Sequence, residues 1–151
     1  MTDLRIAVRI ALLTALSLIL FLLEGLLPLP LPVPGAKLGL AALVTLVALY
    51  TLPHMRDAFL VLLLRILLAS ALGGGFVPML YSLAGGAASF ATMALLKRHG
   101  TLSILGISAA GGFLHNMAQL LTAAAVMQTT ALFSYAPVLG CVGVLTGILI
   151  G

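Results

Sequence analysis

The sequence predicts an all-α, single-domain integral membrane bundle of six transmembrane helices, spanning residues 1–151. Three observations predict it. The chain is 63% hydrophobic and only 7% charged, whereas a soluble domain carries about 25% charged residues. It therefore lacks the polar surface a water-soluble monomer needs. Six apolar runs alternate with proline, glycine or basic breaks, and a spanning helix takes roughly 20 apolar residues. When the runs alternate in direction, nearly all loop Lys and Arg residues fall on one side.

The first run covers residues 6–27 and is long enough to span. It is too long for a cleaved signal peptide and lacks a small-residue cleavage site. Ala7, Ala11 and Ala15 repeat every fourth residue on its first half. Small residues at that spacing let another helix approach closely, from within the chain or from a partner subunit.

Between the first two runs lies the stretch from Glu24 to Lys37, with prolines at 28, 30, 32 and 34. Alternate prolines fix φ and remove backbone donors, so this stretch is expected to be extended and polyproline-II-like. Such backbone cannot face lipid, because its carbonyls would go unpaired. It is expected either to connect two helices rigidly or to cap a pocket, bracketed by Glu24 and Lys37.

The second run, 38–52, is short and ends at Pro53. The third, 57–72, stops at Gly73-Gly74-Gly75. The fourth opens near Pro78, a residue suited to a helical first turn, and closes at Lys97-Arg98-His99-Gly100. The fifth covers 102–127. The sixth covers 131–151, with Pro137 as a kink or a late start. Arg5, Arg9, Arg56, Lys97 and Arg98 then share one side, and Lys37 stands alone on the other. Cytoplasmic loops carry the Lys/Arg excess. The expectation is a multi-pass protein of the cell membrane with both termini cytoplasmic.

Few side chains here can carry chemistry. Arg65 lies inside the third run, about 14 Å from its cytoplasmic end at 1.5 Å per residue. An intramembrane arginine is costly and faces protein or a cavity. It either pairs with Glu24 or holds an anionic or carbonyl-bearing ligand, a task its planar fork suits. In the fifth run, residues 108, 111, 112, 115, 119 and 122 fall on one helical face. His115 lies about 20 Å from the cytoplasmic start. His115, Asn116 and Gln119 are expected to line a pocket at the depth of Arg65, although interhelical hydrogen bonding would use the same residues. Tyr81 is expected to add either an aromatic wall or an interfacial anchor. The candidate ligand contacts are thus Glu24, Lys37, Arg65, Tyr81, His115, Asn116 and Gln119.

Other chemistries find no support. Asp3, Glu24 and Asp57 are the only acids and Cys141 the only cysteine. No metal-ligand cluster, nucleotide-binding loop or disulfide framework can be assembled from them, and no basic run reads as a nucleic-acid patch. No cofactor is expected. Any energy for transport must come from another subunit or an ion gradient.

Three segments carry a family resemblance: Pro32-Val33-Pro34-Gly35-Ala36-Lys37-Leu38-Gly39-Leu40-Ala41, the run from Gly75 to Gly86 (GFVPMLYSLAGG), and Gly111-Gly112-Phe113-Leu114-His115-Asn116. They resemble hallmarks of the family named heptaprenyl diphosphate synthase component I, also called the Gx transporter family. That family is similar in turn to the S-components of energy-coupling factor (ECF) vitamin transporters. The S-component likeness implies an outward-facing ligand pocket, a first loop that closes over it, and an Ala-x-x-x-Ala surface matching Ala7, Ala11 and Ala15. That surface would dock a coupling subunit driven by two ATPases. The enzyme name implies prenyl chain elongation, which resembles chemistry done by aspartate-rich motifs holding Mg²⁺ and diphosphate. With only Asp3 and Asp57, this chain is not expected to be an enzyme. The resulting expectation is a substrate-binding membrane subunit for uptake of a small vitamin-like, aromatic or anionic molecule. The alternative is a non-enzymatic accessory subunit of a prenyl or quinone pathway or of a membrane redox complex.

Overall fold

The computed structural model describes residues 3–26, 39–100 and 102–151. Among them six α-helices follow in order: α1 Asp3–Leu26, α2 Ala41–Thr51, α3 Met55–Ala69, α4 Phe76–His99, α5 Ile104–Met127 and α6 Ala136–Ile150. A π-helical turn, Ser70–Gly74, extends α3, and a 3₁₀ turn, Ala131–Tyr135, leads into α6. No strand occurs among the described residues. Most of the proline stretch, Lys37 included, lies outside them.

The helix ends follow local chemistry. Gly100 stops α4 in the left-handed region (φ 68°), its N–H bonding the Leu96 carbonyl at 3.1 Å. Glycine at this position avoids the Cβ penalty. The Ser103 hydroxyl then caps α5 by accepting from the Gly106 N–H at 3.3 Å. Pro137 sits in the first turn of α6, so it is a late start and not a kink. Lys97, at the end of α4, donates to the Leu49 carbonyl near the end of α2 and lies 4.5 Å from the Tyr50 ring centroid. A cation there answers both the unpaired carbonyls and the negative pole of α2.

Two sets of core residues fix the direction of every helix. In one layer, Leu49 and Leu52 from the end of α2 meet Ala58 and Val61 from the start of α3, Met93 from late α4 and Ile107 from early α5. Ile10 and Leu13 of α1 and Ile150 of α6 pack against them. Opposite ends of consecutive helices thus share one layer. At the other end, Phe21, Ala41 and Ala69 form one cluster, and Tyr81, Leu120, Ala123, Leu132 and Leu139 form another. Consecutive helices therefore alternate in direction, and Arg5, Arg9, Arg56, Lys97 and Arg98 gather at one end.

Among the described residues four segments are long and apolar enough to cross a membrane: α1, α4, α5, and the 3₁₀ turn together with α6. This is fewer than the six spans expected from sequence. The 11 residues of α2 reach only about 16 Å, roughly half a hydrocarbon core. α3 carries Arg56, Asp57 and Arg65 in its 15 residues, which lowers its hydropathy.

Glycines set the tightest contact. A Cβ on Gly112 of α5 would collide with the Gly143 carbonyl oxygen, and one on Gly143 would stand 2.5 Å from the Gly112 carbonyl oxygen. Gly147 lies against the backbone of Ser108 and Ala109 in the same way. The two backbones touch directly, as small residues at four-residue spacing permit.

Candidate functional site

A group of buried polar side chains meets in the interior away from the basic end. Arg65 comes from the second half of α3, Glu24 from the last turn of α1, and His115 and Gln119 from successive turns of α5. All four are buried. With Phe21, Gly39, Ala41, Ala42 and Ser82 they line one cavity of about 10 Å³, room for a single water.

Glu24 is tied to the start of α2. Its Oε1 accepts from the Gly39 N–H at 2.7 Å and its Oε2 from the Leu40 N–H at 3.1 Å. Gly39 has φ 88°, a conformation glycine adopts freely, which turns successive amides toward the carboxylate. Arg65 lies within electrostatic reach of Glu24. Its guanidinium stands 5.3 Å from the Phe21 ring centroid, a cation–π distance. The Arg65 Nε has no hydrogen-bond partner.

His115 is held between two backbones. A Cβ on Gly85 of α4 would come within 3.0 Å of its Cε1, and one on Gly39 within 3.4 Å of its Nε2. The Nε2 is 3.1 Å from the Gln119 side-chain amide nitrogen, so Gln119 donates when that ring nitrogen is unprotonated. The Nδ1 faces the Gly85 backbone without a hydrogen bond of ordinary geometry. His115 also borders two further cavities of about 10 Å³ each. These reach Ser89, whose buried hydroxyl likewise has no partner, and Ser108 and Thr146.

The structure thus brings Glu24, Arg65, His115 and Gln119 together, and leaves other expected contacts outside. Asn116 follows His115 by one residue, about 100° around the helix. It points to α6, where its amide donates to the Leu139 carbonyl at 2.9 Å. Tyr81 is buried in the apolar cluster with Leu120 and Leu132. Lys37 lies outside the described residues. Ala7, Ala11 and Ala15 are exposed along α1. Phe21, Gly39 and Ser82 belong to the cluster and escaped the sequence reading. Phe21 could have been found, since it stands three residues before Glu24 on the same helical face.

A larger concavity lies elsewhere. An open groove of about 450 Å³ runs along α5 and α6, lined by Phe113, Pro137, Cys141, Val144 and Leu145 among others. It is almost wholly apolar and offers no polar group to orient a ligand.

The fold and this cluster define a helical membrane protein with a closed, donor-rich polar interior. The chain belongs to the heptaprenyl diphosphate synthase component I family, whose profile matches residues 13–151. The family resemblance carried by the three sequence motifs is thereby established, whereas the wider likeness to ECF S-components is not. Comparison with curated proteins and with solved structures gave no match.

Proposed function

We propose that this chain is a non-enzymatic membrane subunit of a prenyl diphosphate synthase assembly, with Arg65, His115 and Gln119 as its contacts to a small anionic or carbonyl-bearing molecule. One observation carries this reading: a chain matched over residues 13–151 to a synthase component has only three acids in its whole sequence. Magnesium-held diphosphate calls for clustered carboxylates. Asp57 is engaged with His54 at 3.2 Å at the start of α3, Asp3 opens α1, and Glu24 is committed to α2. That donor set does not fit a magnesium–diphosphate centre, so the elongating chemistry belongs to a partner subunit.

In this reading the helices cross the cell membrane six times, with α2 as a short span, and the basic end and both termini are cytoplasmic. The alternating helix directions and the collection of basic residues at one end support it. The test is to purify the tagged full-length chain from its native membrane in mild detergent and identify what comes with it. A stoichiometric partner bearing aspartate-rich prenyl synthase motifs is expected. Chain elongation by the purified subunit alone would overturn the reading.

A second reading, substrate-binding for uptake, is favoured by the placement of the polar cluster in the half away from the basic end. The exposed Ala7, Ala11 and Ala15 would then face a coupling subunit. Co-purification of such a subunit with two ATPases, and no synthase, would select it.

A further inference from the structure

Glu24 is the one acid buried in the described interior, at 2% exposure. It takes the two amides that lead into α2, Gly39 N–H and Leu40 N–H, with its two oxygens. Those amides sit at the positive pole of α2, an arrangement that receives carboxylate and phosphoryl groups readily. Arg65 adds a guanidinium to the lining of the same cavity. Arg65 is 4% exposed, and its Nε has no hydrogen-bond partner. A guanidinium offers five N–H donors, more than one already engaged carboxylate can accept. The Ser82 hydroxyl and the Gln119 amide line the same space. This is a seat with more donors than its occupant uses.

We propose that this seat is an anion-binding site whose resting occupant is the chain's own Glu24 carboxylate. An incoming carboxylate or phosphoryl group takes the same two amides and Arg65, and Glu24 leaves. The proposal rests on reading the cluster as a small-molecule contact and gives it a ligand class and a built-in competitor. Glu24 is then not a ligand contact. The closed cavity follows: at about 10 Å³ it admits no phosphate while Glu24 is seated. A site open for only a fraction of the time binds more weakly by that fraction. Removing the competitor therefore tightens binding.

The test uses the full-length chain in detergent, titrated with inorganic phosphate and pyrophosphate at constant ionic strength, with chloride as control. Binding is read as the shift of the helical melting transition. Glu24→Ala is expected to bind pyrophosphate at least tenfold more tightly than the unaltered chain, and Glu24→Ala with Arg65→Gln is expected to lose that gain. The phosphoryl group could be free or part of a lipid headgroup. A parallel arm therefore compares nanodiscs of phosphatidylcholine with nanodiscs containing phosphatidylglycerol, without added anion. Stabilisation of Glu24→Ala by phosphatidylglycerol alone assigns the seat to a headgroup, and stabilisation by pyrophosphate in phosphatidylcholine assigns it to a soluble anion. If Glu24→Ala does not fold, Glu24→Gln carries the test, with the same direction and a smaller gain. A folded Glu24 variant that binds no anion better than the unaltered chain overturns the proposal. Should the unaltered chain bind pyrophosphate and Arg65→Gln abolish it while Glu24 variants change nothing, the contact reading stands and the competitor falls. Should no form bind, both fall.

Discussion

α5 has two buried faces, and they are held in opposite ways. Toward α6 it presents Ser108, Gly112 and Phe113 to Gly143 and Gly147, where the contact is backbone on backbone, and the Phe113 ring to Gly140. Toward α4 it presents Gly111, His115 and Gln119 to Gly85, Ser89 and Met93, and the contact is side chain on backbone. Where glycine meets glycine, the first seam loses no side-chain entropy on forming. It cannot open by a rotamer change. The second is bordered by small cavities and by polar atoms without partners, so its side chains have alternative arrangements at moderate cost. One helix thus joins a rigid strut to an adjustable interior, and the unpartnered polar atoms of Arg65, Ser89 and His115 lie in the latter.

The largest effect should come from cutting the charge pair on the adjustable side. Arg65→Ala removes the guanidinium that faces the buried Glu24 carboxylate, and removing one partner of a buried charge pair costs about 3–5 kcal/mol. Replacing both charges, Arg65→Met with Glu24→Gln, should recover more than half of that loss, measured by unfolding in a mixed detergent series. Failure of the double variant to recover would mean that this side is as rigid as the seam. Gly143→Val tests the seam itself. Its new side chain meets the Gly112 backbone, and overpacking costs about 1–3 kcal/mol, occasionally more. No single second-site change should restore it, because the colliding atoms are main chain. Gly85→Ala is milder. Its Cβ would meet the Gln119 Cγ at 2.9 Å and the His115 Cε1 at 3.0 Å, and both belong to side chains that can move. A cost near 1 kcal/mol is expected, with a displaced His115 ring signal by NMR.

The two faces were unequally legible in the sequence. Arg65, His115 and Gln119 stand out because polar groups are expensive in an apolar chain. Helical periodicity puts residues 108, 111, 112, 115, 119 and 122 on one side of α5; the structure turns 111, 115 and 119 toward α4 and 108 and 112 toward α6. The direction of the helices was legible too, from the spacing of the breaks and of the basic residues. The partner of Glu24 was not, because a backbone amide leaves no mark in a sequence, and α2 receives its cap from 16 residues away. The glycine seam was hidden for a related reason. Gly143, Gly147 and Gly151 repeat every four residues in plain view, yet a glycine announces a close approach without naming the helix that makes it. α2 is shorter than the apolar run because hydropathy does not register that Gly39, at φ 88° and bonded to Glu24, holds helix off until Ala41.

Asn116 gives the smallest effect and the sharpest division between the two faces. It neighbours His115 in sequence but bonds across the seam to Leu139. The Leu139 carbonyl lies in the first turn of α6 and retains helical partners when the amide is removed. Interhelical hydrogen bonds in membrane proteins average about 0.6 kcal/mol, so Asn116→Leu should lower stability by about that amount. It should leave the pyrophosphate titration unchanged, both in the unaltered background and with Glu24→Ala. A stability loss of several kcal/mol would mean that the seam depends on this bond more than on its glycines. A changed titration would mean that the two faces of α5 communicate, and the strut could no longer be treated as independent of the interior it supports.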